Sequence, residues 1–303
     1  MNIDILMATY NGEKYIENQL LSLLMQTHEK WRLLIHDDGS TDKTVAIIKK
    51  FQELDSRIEL VEDNICYHDP AYNFLHLLQY SKADFLMFCD QDDIWLERKL
   101  EIMLDAIRKE DNTKPQAVYS NSFVYDESEN RIEGFATLTY PKNLNQLLFM
   151  NGGIQGCAII FNRMLKNICI DIPKNVCMHD HFISLAAVTF GKFTYLDQRL
   201  MLYRRHSGTV TGRTPKRLGE KIKPFFDSKR SVIDRKHYNA VSGFYEKNEY
   251  RMDSTIKEVF KAYFMFPKQN KIKRILSIFA NNFIIFDNRI ILLMKVLLRK
   301  GIN

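Results

Sequence analysis

The sequence predicts an open α/β fold: a mostly parallel sheet covered by helices on both faces, followed by a basic helical C-terminal region. Three observations predict it. Short apolar runs at residues 3–8, 32–36, 58–61 and 85–89 are bounded by turn residues, as strands buried on both faces are. Stretches with apolar residues at helical spacing lie between them, which implies right-handed crossovers between parallel strands. Three of the runs end in polar clusters, Thr9-Tyr10, Asp37-Asp38 and Asp90-Gln91-Asp92. Such sheets bind ligands outside the carboxyl ends of their strands, so the three clusters are expected to open into one crevice.

Each element follows from local chemistry. After the first strand, Asn11-Gly12 turns the chain into a helix over residues 13–26, with Tyr15, Ile16, Leu20, Leu23 and Leu24 as its apolar stripe. The second strand ends at Asp37-Asp38-Gly39-Ser40-Thr41-Asp42; Gly39 permits a turn, and Ser40, Thr41 or Asp42 can cap a helix running through Phe51. Residues 71–81 read as a helix leading into the central strand, 85–89. That strand runs straight into Asp90, Asp92 and Asp93, three carboxylates that cannot lie inside a doubly covered strand and so belong at its end. Adjacent carboxylates repel unless they share a cation or a proton, and oxygen ligands at this density suit Mg²⁺ or Mn²⁺. The plainer alternative is a turn in which Asp92 or Asp93 caps a helix over residues 96–109.

Beyond this point a strand is expected at residues 117–125, then the glycine-rich Asn151-Gly152-Gly153-Ile154-Gln155-Gly156 before a strand at 157–161. The glycines serve either a tight turn or close approach of backbone to a substrate. Met178-His179-Asp180-His181 opens an apolar helix. Its His-x-His places the two rings on different helical faces, which disfavours a shared zinc. Asp180 at the helix start is either an N-cap or a general base, and the helix dipole favours its ionised form. A strand at 200–203 leads into Arg204-Arg205-His206-Ser207-Gly208, where His206 is either structural or serves a phosphate or metal. The stripes at 275–286 and 290–298 are either packing faces or an interfacial amphipathic pair. A phosphate-cradling P-loop and the dinucleotide fingerprint are both missing from the sequence, so a nucleotide here would be held by acids, a tyrosine and a metal ion.

Composition narrows the class. An apolar fraction of 46% with 26% charged residues is that of a globular chain, not a disordered one. The net charge of +6 conceals an asymmetry: residues 213–303 carry 21 Lys+Arg against 8 Asp+Glu, and the rest 22 against 29. A basic tail on an acidic body points to a polyanion, either a membrane surface or nucleic acid. Five cysteines without Cys-x-x-Cys spacing exclude a zinc ribbon and a disulfide framework. An acidic Asp4 in place of a basic leader, and no apolar run of spanning length, give the expectation of a cytoplasmic protein, with peripheral attachment to the inner face of the plasma membrane.

Ala8-Thr9-Tyr10-Asn11-Gly12, Asp37-Asp38-Gly39-Ser40-Thr41-Asp42 and Asp90-Gln91-Asp92-Asp93-Ile94-Trp95 occur in this order. Together they resemble the family-2 inverting glycosyltransferases of GT-A fold, a Rossmann-like α/β architecture. With His179-Asp180 and Tyr203-Arg204-Arg205-His206 downstream, the likeness is strongest to bacterial rhamnosyltransferases of cell-wall and capsular polysaccharide assembly, and it covers residues 1–212, leaving 213–303 as a basic helical region. The resemblance implies a nucleoside pocket lined by Thr9, Tyr10, Asp37 and Asp38, with Asp90 at the ribose or metal. It implies a Mn²⁺ or Mg²⁺ site at Asp92 and His206, a loop of Gly152 and Gly153 near donor sugar and acceptor, and Asp180 as the base on the acceptor hydroxyl. Many members carry an acid immediately before the base, where this chain has His179. The implied donor is dTDP-β-L-rhamnose, with Trp95 either an apolar wall for the sugar methyl or a core-packing residue, and the implied acceptor is a lipid-linked saccharide. Transfer from a UDP-hexose is the alternative, and a sugar-nucleotide pyrophosphorylase is disfavoured because residues 9–15 lack its basic glycine-rich loop. An anionic membrane surface is an expected partner, and nucleic acid is not.

Overall fold

The computed structural model describes residues 2–137, 139–150, 154–206 and 230–302. The chain divides into two compact units: residues 1–138, 154–172 and 178–207 form the first, and 139–153, 173–177 and 208–303 the second.

The first unit opens with β1 (Ile3–Thr9), α1 (Ile16–Leu24), β2 (Trp31–Asp37), α2 (Thr44–Leu54), β3 (Ile58–Leu60), α3 (Pro70–His76) and β4 (Phe85–Cys89). These strands are parallel in the order β3-β2-β1-β4, the arrangement that leaves a crevice where the order reverses, between β1 and β4. Every residue of β1 and β4 is buried, as continuous apolar runs require. Side chains alternate across the pleat. Ile3, Ile5, Met7, Phe85, Met87 and Cys89 join one apolar cluster, while Phe88 packs edge-on against Phe74 of α3, ring centroids 5.6 Å apart.

Past β4 the sheet becomes mixed. The chain continues through β5 (Ile94–Trp95), α4 (Lys99–Arg108), β6 (Gln116–Asp126), β7 (Arg131–Phe135), α5 (Leu144–Leu147, in the second unit), β8 (Ile159–Asn162), α6 (Arg163–Cys169), α7 (His179–Phe190) and β9 (Lys192–Arg205). Strand β8 enters antiparallel between β4 and β6. β9 runs parallel to β6 and then turns its far end onto β5, pairing Ile94 with Leu202 and Trp95 with Met201. Continued, this antiparallel register places Asp92 opposite Arg204. Residues more than a hundred positions apart are thus brought to one edge of the crevice.

The second unit contains α5 and the C-terminal elements β10 (Ser231–Ile233), α8 (Arg235–Asn248), α9 (Ser254–Met265), α10 (Lys271–Ala280), α11 (Arg289–Leu298) and β11 (Lys300–Ile302). Asp234, Asp253, Asn270 and Asn288 cap its four longer helices through side-chain oxygens. Its core is aromatic: Phe149, Tyr263, Phe266 and Phe283 stack mostly edge-to-face, centroids 4.9–6.2 Å apart. Among the described residues no helix is long and apolar enough to cross a membrane.

Candidate active site

The rim of the crevice is built from the loops after β1, β2 and β4. Asp37 accepts hydrogen bonds from Thr9 Oγ1 (2.7 Å), Ser40 Oγ (2.6 Å) and the Ser40 and Gly39 amides. Gly39 sits at φ +86°, which lets the chain turn back under this carboxylate. Asn11 laces the two loops together, its amide donating to Ser40 Oγ and its side-chain oxygen accepting from the Thr41 amide, both at 2.8 Å. Asp37 therefore acts on the shape of the rim. Asp38 is buried and accepts from the Tyr67 amide at 2.5 Å. The Tyr10 ring stands 53% exposed on the rim. The Tyr10 backbone is held by Gln91, whose side chain accepts from the Tyr10 amide (3.1 Å) and donates to its carbonyl (3.0 Å).

A buried polar network underlies the Asp38 side. His36 Nε2 and His76 Nε2 both face Asp63, at 3.1 and 2.5 Å, and Tyr80 donates to the same carboxylate at 2.8 Å. Burial opposes ionisation of Asp63, but the hydrogen bonds from His76, Tyr80 and the Ile65 amide outweigh it and hold the group well below the usual carboxylate range. His36 Nδ1 lies 2.6 Å from Asn73 Oδ1, tying the end of β2 to α3. The network is closed by its own hydrogen bonds.

Strand β4 delivers the acids, and they take different positions. Asp93 is fully buried, with one carboxylate oxygen accepting from the Arg204 amide at 3.1 Å and the Cys157 thiol also against its carboxylate. Neither Asp92 nor Asp93 caps α4, which begins at Lys99 after Arg98 with no side-chain cap; the capping alternative therefore falls. Asp92 meets His206, Oδ2 to Nε2, at 2.9 Å. Arg204 braces the pair from below by donating from Nε to the Asp92 carbonyl at 2.8 Å. The His206 ring packs on Tyr15, centroids 4.3 Å apart, and the Tyr15 hydroxyl donates to Glu127 at 2.8 Å.

Burial, followed by the Asp92 charge, pushes Asp90 up to about 6, against the Cys157 thiol and the Lys99 cation. Lys99 is fully buried beneath the acids, donating to the Cys157 carbonyl (2.6 Å) and lying 3.7 Å over the Trp95 ring. Burial pulls its ammonium down to about 8. Trp95 itself is a core residue, joined to the main apolar cluster. Of its two expected roles core packing holds and the wall for the donor sugar falls, since a side chain sealed under Lys99 cannot line an open pocket.

Asp180 lies in the first turn of α7 and accepts from the His181 amide at 2.5 Å. Burial in the crevice, opposed by that hydrogen bond and assisted by the Asp90 charge, pushes it up to about 7. Asp180 and Asp90 thus feel one another across the same space. His179 is buried against Phe74 and Phe88, centroids 4.0 and 4.7 Å away, with neither ring nitrogen hydrogen-bonded. Desolvation pulls it down to about 3, so it is neutral. A Cβ at Gly156 would lie 2.1 Å from His179 Nε2, so that glycine serves close packing against the histidine. Gly152 and Gly153 lie outside the described residues.

The structure thus brings together Thr9 with Asp37, Tyr10 with Gln91, Asp92 with His206, and Asp90 with Asp180. Asp92 and His206 offer a carboxylate oxygen and an imidazole nitrogen at a spacing that fits neighbouring ligands of one octahedral ion with bonds of about 2.1 Å. Lys99, Arg204, Tyr15, Glu127 and Asn73 were not legible as site residues. Only Arg204 carried a signal, its place beside a strand-end histidine.

Comparison with known proteins follows the same lines. The dTDP-rhamnosyl transferase RfbG of Shigella flexneri is 29% identical over 229 residues, 68% of this chain and 73% of that protein. A UDP-Glc:alpha-D-GlcNAc-diphosphoundecaprenol beta-1,3-glucosyltransferase of Escherichia coli, WfgD, is 32% identical over 170 residues, 54% of this chain and 62% of its own length. Among solved structures, residues 1–349 of S. aureus TarS superpose with a TM-score of 0.60 at 16% identity, covering 93% of this chain and 79% of that one. The mannosyltransferase PcManGT of Pyrobaculum calidifontis, solved with GDP-Man and Mn²⁺, gives 0.52 at 15% identity, covering 92% and 73%. At those identities the structural likenesses establish the GT-A fold alone. The sequence profile of glycosyl transferase family 2 matches residues 4–169, from the second residue of β1 to the end of α6, and the chain belongs to that family of glycosyltransferases.

Proposed function

We propose that this glycosyltransferase is metal-dependent and inverting, and that it moves L-rhamnose from dTDP-β-L-rhamnose onto a lipid-linked saccharide. The observation that carries the reading is the convergence of the Asp92–His206 pair and Asp180 on the crevice beyond β4. When bound, a divalent cation, Mn²⁺ or Mg²⁺, held by Asp92 and His206 supplies the charge neutralisation that a departing diphosphate needs. The chain's own residues do the rest. The exposed Tyr10 ring offers a stacking face to a base, and Asp38 and the Thr9–Asp37 pair fix the shape of the nucleoside pocket. Asp180 takes the proton from the acceptor hydroxyl. The freed oxygen bonds to the anomeric carbon as the bond from that carbon to the diphosphate breaks, its electron pair leaving with the diphosphate. Attack from the opposite face converts a β-linked donor into an α-linked product. An Asp poised near 7 suits this role, because a base is most effective when its affinity for the proton matches the working pH.

The donor assignment is supported by the Shigella dTDP-rhamnosyl relative. A UDP-hexose donor is the second reading, favoured by the UDP-Glc-using relative of similar identity over a shorter span. Donor competition separates them: release of nucleoside diphosphate from dTDP-rhamnose, UDP-glucose, UDP-galactose and UDP-N-acetylglucosamine at equal concentration. Turnover is expected fastest with dTDP-rhamnose, lost in EDTA and restored by Mn²⁺ or Mg²⁺. Preference for any UDP-hexose would overturn the rhamnose assignment, and full turnover in chelator would overturn the metal.

A further inference from the structure

Helix α10 buries Arg274, Ser277 and Ile278 and turns a second apolar stripe outward. Its apolar residues Ile272, Leu276 and Phe279 are 72%, 62% and 51% exposed, whereas Arg274 on the opposite face is buried, donating to the Phe266 and Pro267 carbonyls at 3.1 and 2.9 Å. At about 100° per residue, spacings of four and seven positions put the three exposed side chains in one narrow stripe. Lys271 and Lys273 then stand about 100° to either side of Ile272, and both are exposed, Lys271 with its Nζ donating to the Leu297 carbonyl at 2.7 Å. From Val259 to Phe286 the sequence contains Lys261, Lys268, Lys271, Lys273 and Arg274 and no acid.

We propose that this face of α10 is an interfacial membrane anchor that inserts Ile272, Leu276 and Phe279 among the acyl chains of an anionic bilayer while Lys268 and Lys273 meet the headgroups. The arrangement is that of a helix lying in the plane of the interface, with the apolar stripe downward and lysine stems snorkelling to the phosphates beside it. Each lysine near an anionic surface adds attraction that salt screens. A second copy of the chain is a poorer occupant. Three side chains offer far less than the roughly 800 Å² per partner of a stable interface, and a two-fold contact would press the same lysines against each other. The inference is independent of the donor reading, since it uses only residues of the second unit.

Co-sedimentation of the full chain with vesicles tests it. Binding is expected to vesicles of 70% phosphatidylcholine and 30% phosphatidylglycerol, at least fivefold tighter at 50 than at 300 mM NaCl, and weak to pure phosphatidylcholine. The triple change Ile272→Glu, Leu276→Glu, Phe279→Glu should lower that affinity at least tenfold with the melting midpoint unchanged. Lys268→Gln with Lys273→Gln should lower it severalfold and flatten the salt dependence. Should the triple change lower the midpoint, Ile272→Ser with Phe279→Ser carries the test. Wild-type binding that is absent, equal on neutral vesicles, or retained by the stripe variants would overturn the proposal. A dimer dissolved by the stripe variants without any vesicle binding would overturn it in favour of a copy-to-copy contact.

Discussion

Asp180 and His179 are neighbours on α7, and burial disfavours the charged form of both. His179, wedged between Phe74 and Phe88 and held down to about 3, is a poor proton acceptor; Asp180, pushed up to about 7, is a good one. The sign of the pH dependence follows. A raised carboxyl is protonated below about 7 and cannot act as a base there, so log kcat/KM should fall with unit slope as pH drops below that value. Asp180→Asn should lower turnover by roughly 10² to 10⁴ while calorimetric affinity for dTDP with Mn²⁺ stays within a few-fold. A flat profile to pH 5.5, or affinity that collapses with turnover, would remove Asp180 from the base role. At this scale the sequence was informative about Asp180, because an acid at the start of an apolar helix is visible as such. It was silent about Lys99, whose surroundings read as the first turn of an amphipathic helix. Nothing local marks a lysine turned inward beside Asp90 and Asp93, since the partners that hold it, Cys157 and Met201, come from the turn before β8 and from β9.

At the scale of elements, the amino ends of the central strands are clamped by Asp4. Its carboxylate accepts from Arg32 Nη2 (3.0 Å) and Nε (3.2 Å), Ser81 Oγ (2.7 Å) and the Lys82 and Ala83 amides (2.9 and 3.1 Å), fastening β1 to β2 and to the turn before β4. Burial opposes its ionisation, but the Arg32 and Ser81 hydrogen bonds, the Arg32 charge and the Ala83 amide outweigh it and lower the group. Asp4→Ala strands several donors and should cost about 2–4 kcal/mol in denaturant unfolding. Because the folded value is the lower one, the contribution is complete above the ordinary aspartate value and fades as pH falls through the folded value. The gap between wild type and variant should therefore be equal at pH 7 and pH 5 and narrow only below about pH 4. An equal gap at pH 2.5 would mean that the hydrogen bonds do not need the charge. Sequence reasoning placed Asp4 as an argument about leader peptides and missed the clamp, because its partners arrive from two other elements. The parallel strands and their helices were legible from apolar runs and turn residues. The antiparallel entry of β8 was not, since a short apolar run such as Ile159-Ile160-Phe161 specifies burial and not direction. Helix α8 was also missed, although Asp234 before a charged stretch is a capping signal.

At the scale of the whole molecule, the two units have separate cores, so a ligand stabilises the one that holds it. Trp31 and Trp95, the chain's two tryptophans, both lie in the first unit, as do Asp92, Asp180 and His206. Tryptophan fluorescence therefore reports the unfolding of the unit with the candidate site, while far-ultraviolet circular dichroism also reports the four capped helices of the second. A ligand that binds only the native state adds RT ln(1 + [L]/Kd), about 2.7 kcal/mol at a hundredfold excess over Kd. For a unit of this size that corresponds to a rise of roughly 5–10 °C. Mn²⁺ with dTDP should raise the fluorescence midpoint by that order, and neither alone should match the pair, because metal and diphosphate each screen the other's charge in the crevice. Asp92→Asn should abolish the rise, since an amide offers the cation no charge, whereas Asp180→Asn, on the acceptor side, should leave it intact. If circular dichroism follows the whole rise without separating from fluorescence, the two units unfold as one cooperative body. If dTDP raises the midpoint fully in EDTA, the diphosphate is held by the chain alone, and the Asp92–His206 pair is a structural contact between β4 and β9.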